Sequence, residues 1–274
     1  MKKLTIAMLA GLMSASGWSA CTYNFDASLS QVQTMLGYSV PNLTLFPQNA
    51  NQKVSLTLQQ GMLAGSAGDY RINIAVSSAY ANNMIAKKNG NSTLLGDKSL
   101  PTNGLVAFEF SFKVPNELSQ KGQLITFPIG AGGNMDNGKL FQLMTMYGNN
   151  TDSTIPDGYN NDFFFLINAE GGTQLELKRI NGSHVSNSAQ LQKIGFYLNQ
   201  TSNQIGLIVN GVNHGYIYTL PSKAKNIGYL IDAMYQNIDA VDVNKLFSIE
   251  LVTEATKMTQ TYPTGTKDIC GNTI

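Results

Sequence analysis

Charged side chains are scarce in this chain. Asp, Glu, Lys and Arg together make up 13% of the 274 residues, where a globular domain usually has about a quarter. The 18 basic residues nearly balance the 17 acidic ones, so nothing favours nucleic acid or an anionic membrane surface as a partner. We therefore expect no nucleic-acid partner and a surface built mainly from amides and hydroxyls.

Long apolar segments are also missing after the first twenty residues. Met1–Lys3 provides a positive start and Leu4–Met13 a short apolar run, and mostly small residues follow up to Ala20. This order is typical of a secretory signal, and the run is shorter than the roughly 20 apolar residues that cross a bilayer. The sequence predicts a signal peptide at 1–20, a single domain at 21–274, no transmembrane segment, and export to the periplasm or the exterior.

Cysteine occurs only twice, as Cys21 and Cys270. In an oxidising compartment a lone pair of this kind forms one disulfide, and we predict that bridge here. Cleavage directly before Cys21 is preferred, but Trp18 stands where a small residue is expected, so cuts after Ala15 or Ser16 remain open. A lipidated Cys21 is the other alternative; the preceding residues lack the leucine-like position of such a signal, and Cys270 would then be unpaired.

Alternation of apolar and polar residues dominates the rest of the chain and predicts strands. Val106, Phe108, Phe110 and Phe112 share one face of their strand, and an aromatic face of this size belongs against a second sheet. Asn-Gly pairs at 181–182 and 210–211 predict tight hairpins. The candidate strands are 21–25, 53–58, 70–76, 105–114, 123–129, 139–147, 162–168, 173–180, 183–188, 193–199, 204–209, 212–220 and 246–252.

Two segments carry helical spacing. Leu29, Val32 and Met35 fall on one face between Asp26, which can cap a helix, and Gly37, which can end one. This pattern predicts one short N-terminal helix. The segment 226–236 fits both a helix and a strand, and we favour the strand.

The succession FEFSFKVP, LITFPIG, FFFLINAEGGTQLELKR and KIGFYLNQTSNQIGLIVNGVNHGYIYTL resembles the strand order of concanavalin A-like and laminin G-like jelly-roll sandwiches, over roughly residues 105–254. The resemblance implies an all-β fold of two antiparallel sheets. It also implies paired end strands, which would bring the two cysteines together. Members of that superfamily include lectins, adhesion modules and glycoside hydrolases.

A hydrolase needs two carboxylates facing one bond. The Glu-x-Asp-x-x-Glu signature of the hydrolase branch that this chain resembles is missing. Glu109 and Glu176 have no acidic neighbour on their strand face, and Glu250 and Glu254 would stand roughly 13 Å apart along a strand. Catalysis is therefore the third interpretation, and we expect no catalytic residues.

One loop region is rich in side-chain oxygen. Calcium takes six to eight oxygen ligands and accepts flexible loops. The predicted candidates for a calcium site are Asp152, Asp157 and Asp162. Aromatic faces beside planar amides are typical of sugar sites, and the predicted ligand-binding residues in the same region are Tyr159, Asn149, Asn160 and Asn161. The function predicted is a secreted, non-catalytic, lectin-like module for a glycan or a cell-surface ligand, and the second interpretation is a structural or adhesive protein.

Overall fold

The computed structural model describes residues 21–37, 40–60, 70–115, 118, 124–150, 160–178 and 191–274. Two α-helices occur in this part of the chain, α1 (Leu29–Leu36) and α2 (Ser78–Lys88), with short 3-10 turns at Ala240–Asp242 and Ala255–Lys257. The strands are β1 (Leu43–Leu45), β2 (Gln48–Ala50), β3 (Lys53–Thr57), β4 (Arg71–Val76), β5 (Lys98–Ser99), β6 (Leu105–Lys113), β7 (Leu124–Asn134), β8 (Leu140–Asn150), β9 (Asn160–Ala169), β10 (Leu175–Lys178), β11 (Gln192–Asn199), β12 (Gln204–Val209), β13 (Val212–Thr219), β14 (Asn226–Gln236), β15 (Leu246–Val252) and β16 (Thr266–Asp268).

These strands form two sheets. The first sheet runs in the order β1-β4-β14-β7-β8-β9-β10, with β5 beside β14, and the second runs β13-β12-β11-β6-β15-β3-β2, with β16 beside β6. The pairings are antiparallel except β1 with β4 and β16 with β6. The predicted all-β sandwich of two largely antiparallel sheets is confirmed. The predicted signal peptide at 1–20, the Asn-Gly turn at 181–182 and the candidate strand at 183–188 lie outside the described residues.

The core lies between the two sheets and is aromatic. Phe108 on β6 is fully buried and contacts Phe196 of the same sheet and Tyr229 of the other, with ring centroids 5.6 and 5.1 Å apart. Phe127 stacks on Phe247 across the sandwich at 4.6 Å. The alternation seen in the sequence places such residues on the inner faces, which leaves the outer faces of both sheets to be covered by other parts of the chain.

Segment 226–236 is a strand, as favoured from the sequence, and it lies between β4 and β7. Its odd-numbered residues enter the core, and its even-numbered residues point to the outer face of the first sheet. The turn at Asn210-Gly211 also has the predicted form, because both residues have positive φ, 49° and 84°. These angles suit a two-residue hairpin between β12 and β13.

Helix α1 begins at Ser28, not at Asp26. Ser28 and Gln31 form a reciprocal capping box, and Gly37 ends the helix in the left-handed region, as its position predicted. Asp26 instead accepts a 2.7 Å hydrogen bond from the Ser78 backbone N–H at the start of α2. The predicted cap at Asp26 is therefore wrong for α1, and its carboxylate accepts from a helix about fifty residues later in the chain.

Helix α2 was not predicted, because its mixed sequence has only a weak apolar face. It packs with α1 on the outer face of the first sheet, where Val32, Ile74 and Ala81 belong to a second apolar cluster. Ser77 caps α2 and takes part in a buried polar group with Tyr23 and Asp97. Burial raises the pKa of Asp97 above its usual range.

The predicted strand at 21–25 is wrong, since these residues form no strand. Tyr23 and Phe25 are nevertheless buried, and the Tyr229 backbone N–H donates to the Tyr23 hydroxyl at 3.1 Å. Cys21 and Cys270 form the predicted disulfide, with their Cα atoms 5.7 Å apart. The bridge joins an extended N-terminal segment to a C-terminal turn, so it does not depend on paired end strands.

Candidate ligand pocket

A cavity of about 650 Å³ lies on the outer face of the first sheet, beside α2. Its floor is formed by β14, β7 and β8, and two glycines of β7, Gly130 and Gly132, contribute no side chain there. A Cβ built on Gly130 would meet no atom closer than the Leu230 carbonyl oxygen at 3.9 Å, so the space above it is open. The glycines therefore give the face its depth.

The walls of this pocket are mostly apolar. Tyr80 and Met84 approach from α2, and Met144, Pro128 and Leu230 rise from the sheet. Methionine side chains are flexible and polarizable, and they adapt to ligands of varied shape. At the mouth, the amide side chains of Gln142 and Asn168 are exposed and lie level with each other on β8 and β9.

Asp232 is the one acidic residue of β14 and lies in this pocket. Leu230 and Met234 flank it on the same strand face, and Ile74 stands opposite it on β4. Its Oδ1 atom is fully buried and has no hydrogen-bond partner among the described residues. Burial raises the pKa of Asp232 to about 6, and the Ala233 backbone N–H opposes that rise. The carboxyl group can therefore change its charge near neutral pH.

Two other charged groups that line the pocket have hydrogen-bond partners within the protein. Lys88 donates to the Leu36 carbonyl oxygen at the end of α1, at 3.2 Å. Glu170 accepts from the Leu140 backbone N–H at 3.1 Å. Neither these groups nor Lys87 is among the causes that shift the pKa of Asp232. The carboxyl group thus responds to its apolar surroundings rather than to a neighbouring charge.

Asp232 and Glu170 are too far apart to act on one bond. The register places Asp232 level with Phe164 on β9, three strands away, and Glu170 follows six residues later along the chain. With strands about 4.8 Å apart and about 3.3 Å per residue, the two backbones are separated by more than roughly 20 Å. Glycosidase carboxyl groups lie about 5–10 Å apart.

The predicted sugar and calcium residues belong to the opposite end of β8 and β9. Asn149 is 1% exposed and faces Asn160 across a bulge, and Asp162, 8% exposed, faces Gly148. Asn160 and Asn161 lie in β9, with only their backbone described. Tyr159, Asp152 and Asp157 lie outside the described residues. The pairing brings the described members together at one end of the hairpin, and the calcium site there stays a prediction.

Two other acidic residues of the described chain have partners within the protein. Glu109 is fully buried and accepts from the Thr259 and Gln260 backbone N–H groups at 2.8 and 2.7 Å. Glu250 faces Lys53 across β15 and β3, with 3.9 Å between charged atoms. Among the described residues, the one group with metal-ligand spacing is Cys21, Asp268 and Cys270, whose thiols are consumed by the disulfide.

Asp232 was not among the site residues predicted from the sequence. The signal was present in segment 226–236, where one acid interrupts the even-numbered face of an otherwise apolar strand. The sequence of this segment fits both a helix and a strand, and only the strand puts Leu230, Asp232 and Met234 on one face.

A family model for a domain of unknown function (DUF4882) matches residues 2–272. The chain belongs to this family. No curated protein matches it. No helix among the described residues is long and apolar enough to cross a membrane.

Solved structures resemble the chain in fold. Porphyranase B from Zobellia galactanivorans is 8% identical, with 78% of this chain and 83% of that one covered and a TM-score of 0.43. The Bacillus licheniformis beta-glucanase is 12% identical, with 79% of this chain and 86% of that one covered and a TM-score of 0.37. The Ruminococcus gnavus sialidase module CBM40, bound to sialyllactose, is 12% identical, with 72% of this chain and 89% of that one covered and a TM-score of 0.32. The two-sheet sandwich is shown by the strand pairing of the chain itself, and at these identities and TM-scores the likeness carries no argument about function.

Proposed function

We propose that this protein is an exported, non-catalytic binding protein that holds a short glycan segment in the pocket beside α2. The observation that carries the proposal is the pocket itself. It combines an open apolar floor and walls with exposed amides at its mouth.

The size and lining of the pocket suit one or two sugar rings. Ligand sites usually span about 300–1,000 Å³ and are lined by apolar groups with a few polar groups that set orientation. The C–H face of a sugar ring can pack on Met144, Pro128 and Leu230, and the Gln142 and Asn168 amides both donate and accept hydrogen bonds with hydroxyls. A ligand seated here would lie across the centre of the first sheet.

The distribution of carboxylates supports binding without hydrolysis. The two acids in the pocket stand too far apart for glycosidase chemistry. The buried Glu109 is held by backbone N–H groups on the outer face of the other sheet. A bound glycan is therefore expected to be released unchanged.

Binding of the purified protein to a broad glycan array tests the proposal, alongside Gly130→Leu. Gly130 does not have a positive φ, so leucine can be accommodated by the backbone and fills the open floor. We expect one class of glycans to bind the parent protein and to lose at least about tenfold in affinity with Gly130→Leu. Thr219→Leu, an exposed strand position of the second sheet, is the matched control and should bind normally.

Repeating the glycan array with a metal chelator distinguishes binding in this pocket from binding at the predicted calcium site. Binding abolished by the chelator but unchanged by Gly130→Leu would move the site to residues 149–162. Absence of binding to any glycan would contradict the proposed function. Release of reducing ends from a bound glycan would contradict the non-catalytic role.

A further inference from the structure

The pocket contains a carboxylate whose hydrogen-bonding capacity is incompletely used. Asp232 Oδ1 is buried and accepts no hydrogen bond within the part of the chain that the structure describes, and the carboxyl group is flanked on its strand face by Leu230, Met234 and Ile74. A buried acceptor without a donor costs roughly 1–3 kcal/mol, and more when it is charged. A group that supplies both a donor and a positive charge would relieve this cost.

The protein does not supply that group from the elements packed around Asp232. Lys88 is bound to the end of α1. Lys87 stands on the α2 wall without an influence on the pKa of Asp232, and Glu170 lies at the far end of the pocket. Tyr80, the remaining titratable group of the lining, directs its hydroxyl toward Gly132, where a Cβ would meet it at 3.5 Å. A ligand seated in the pocket can supply the donor that the described lining does not.

We propose that the glycan bound in this pocket carries a free amino group, protonated as an ammonium, that pairs with Asp232. The proposal rests on the proposed function and narrows its ligand to amino sugars. An ammonium offers three donors, so it can satisfy Oδ1 and keep further donors for the pocket. The open floor above Gly130 leaves room for the sugar ring that carries it.

A neutral sugar would use the site less well. A hydroxyl can donate to Oδ1 but leaves the negative charge in apolar surroundings uncompensated, whereas an ammonium neutralises it. The apolar walls strengthen this preference, because ion pairs gain energy as solvent is excluded. The amides at the mouth remain available for the hydroxyl groups of either kind of sugar.

The test uses three trisaccharides of matched shape and linkage: β-1,4-linked glucosamine, its fully N-acetylated form and cellotriose. Calorimetric titration at pH 7 should show the glucosamine trimer binding at least about tenfold tighter than either neutral trimer. Lowering the pH from 7 to 5 should lower the ratio of glucosamine affinities, parent over Asp232→Asn, about tenfold, because a carboxyl group with a pKa near 6 becomes protonated in that range. The sugar's own amino groups also gain protons as the pH falls, but this gain is the same for both proteins and cancels in the ratio. The neutral trimers should show little change.

Asp232→Asn removes the charge with almost no change in shape. It should weaken the glucosamine trimer by about 30-fold or more, since loss of one partner of a buried charge pair costs at least about 2 kcal/mol. Binding of the neutral trimers should be retained. Asp232→Glu, which keeps the charge, should recover part of the loss, and circular dichroism of both variants checks that they are folded.

The outcomes separate this proposal from the proposed function. Equal binding of all three trimers, or glucosamine binding unchanged in Asp232→Asn, would overturn the ammonium proposal and leave glycan binding intact. If none of the three trimers binds while another sugar on the array binds in a Gly130-dependent manner, the ammonium proposal also fails alone. If no sugar binds at all, both fail.

Discussion

Asp232 has a protonation equilibrium that should be visible in stability. Its pKa of about 6 lies above the ordinary value of 3.8, so between about pH 4 and 6 the folded protein holds a proton that the unfolded chain has lost. Stability attributable to this group is therefore present at low pH and falls as the pH rises through that window. A shift of about two units corresponds to about 3 kcal/mol.

Asp232→Asn should lack this dependence. We subtract the parent's free energy of unfolding from that of the variant at each pH. This difference should be about 2–3 kcal/mol larger at pH 7.5 than at pH 4. Urea titrations of both proteins at the two pH values measure it, and contributions of all other titrating groups cancel in the comparison. A difference independent of pH would mean that Asp232 titrates normally.

Gly130 and its neighbour Gly133 show how unlike two glycines of one strand can be. A Cβ on Gly133 would fall 1.9 Å from the Asn226 carbonyl oxygen, whereas Gly130 faces open space. We expect Gly133→Ala to lower the free energy of unfolding by about 2 kcal/mol or more through backbone displacement, and Gly130→Ala to change it by less than about 1 kcal/mol. Thermal unfolding compares them, and equal losses would mean that the space above Gly130 is closed.

At the scale of elements, the C-terminal segment closes the outer face of the second sheet. Glu109 of β6 receives the Thr259 and Gln260 backbone N–H groups, and Tyr262 packs near Tyr197 with ring centroids 6.4 Å apart. This covering holds a charged side chain in a fully buried position on a central strand. The second sheet is thus protected by irregular chain rather than by helices.

Glu109→Leu should release that segment. It leaves the Thr259 and Gln260 backbone N–H groups without their acceptor, and the second of these groups is buried. We expect this loss to cost about 3 kcal/mol of folding free energy. Glu109→Gln, which keeps an acceptor oxygen, should cost about 1 kcal/mol. Glu250→Gln is the control, because the Glu250–Lys53 pair is about half exposed and such pairs contribute at most about 1 kcal/mol. Equal effects of all three in urea unfolding would contradict this role of Glu109.

The elements themselves were predictable to different degrees. Alternation with aromatic residues predicted the central strands, and Asn210-Gly211 predicted its hairpin, because these signals are local. Helix α2 was missed because it forms by packing on Ile74 and Val76 rather than by its own propensity. The segment at 21–25 was read as a strand because it is apolar and β-prone, but it is buried through Tyr23 without pairing.

The pocket could not be predicted for a related reason. It requires a glycine from β7, an acid from β14 and a wall from α2 to meet on one outer face, and no local pattern specifies such a meeting. The sugar and calcium sites were predicted at 149–162 because the polar composition of that region can be read from the sequence, whereas the depth of a pocket cannot. Asp232 can be recognised as a buried acid only when the strands and the helix that pack around β14 are known.

At the scale of the whole molecule, the disulfide closes a loop of 249 residues. The loop-entropy relation gives a stabilisation of about 5 kcal/mol for a closure of this length. Cys21→Ser with Cys270→Ser should therefore lower the free energy of unfolding by up to about 5 kcal/mol, as measured by urea titration. Retention of the parent stability would show that the unfolded chain is already restricted by other means.

The order in which the sheets are assembled has a consequence for biosynthesis. Strand β14 separates β4 from β7 in the first sheet, and β15 separates β6 from β3 in the second. The first sheet cannot become continuous until residue 236 has left the ribosome, and the second cannot until residue 252 has done so. A nascent chain of this protein therefore stays incompletely folded until both β14 and β15 have been synthesised. A translocation channel that accepts only unfolded polypeptide would therefore receive this chain in a threadable state.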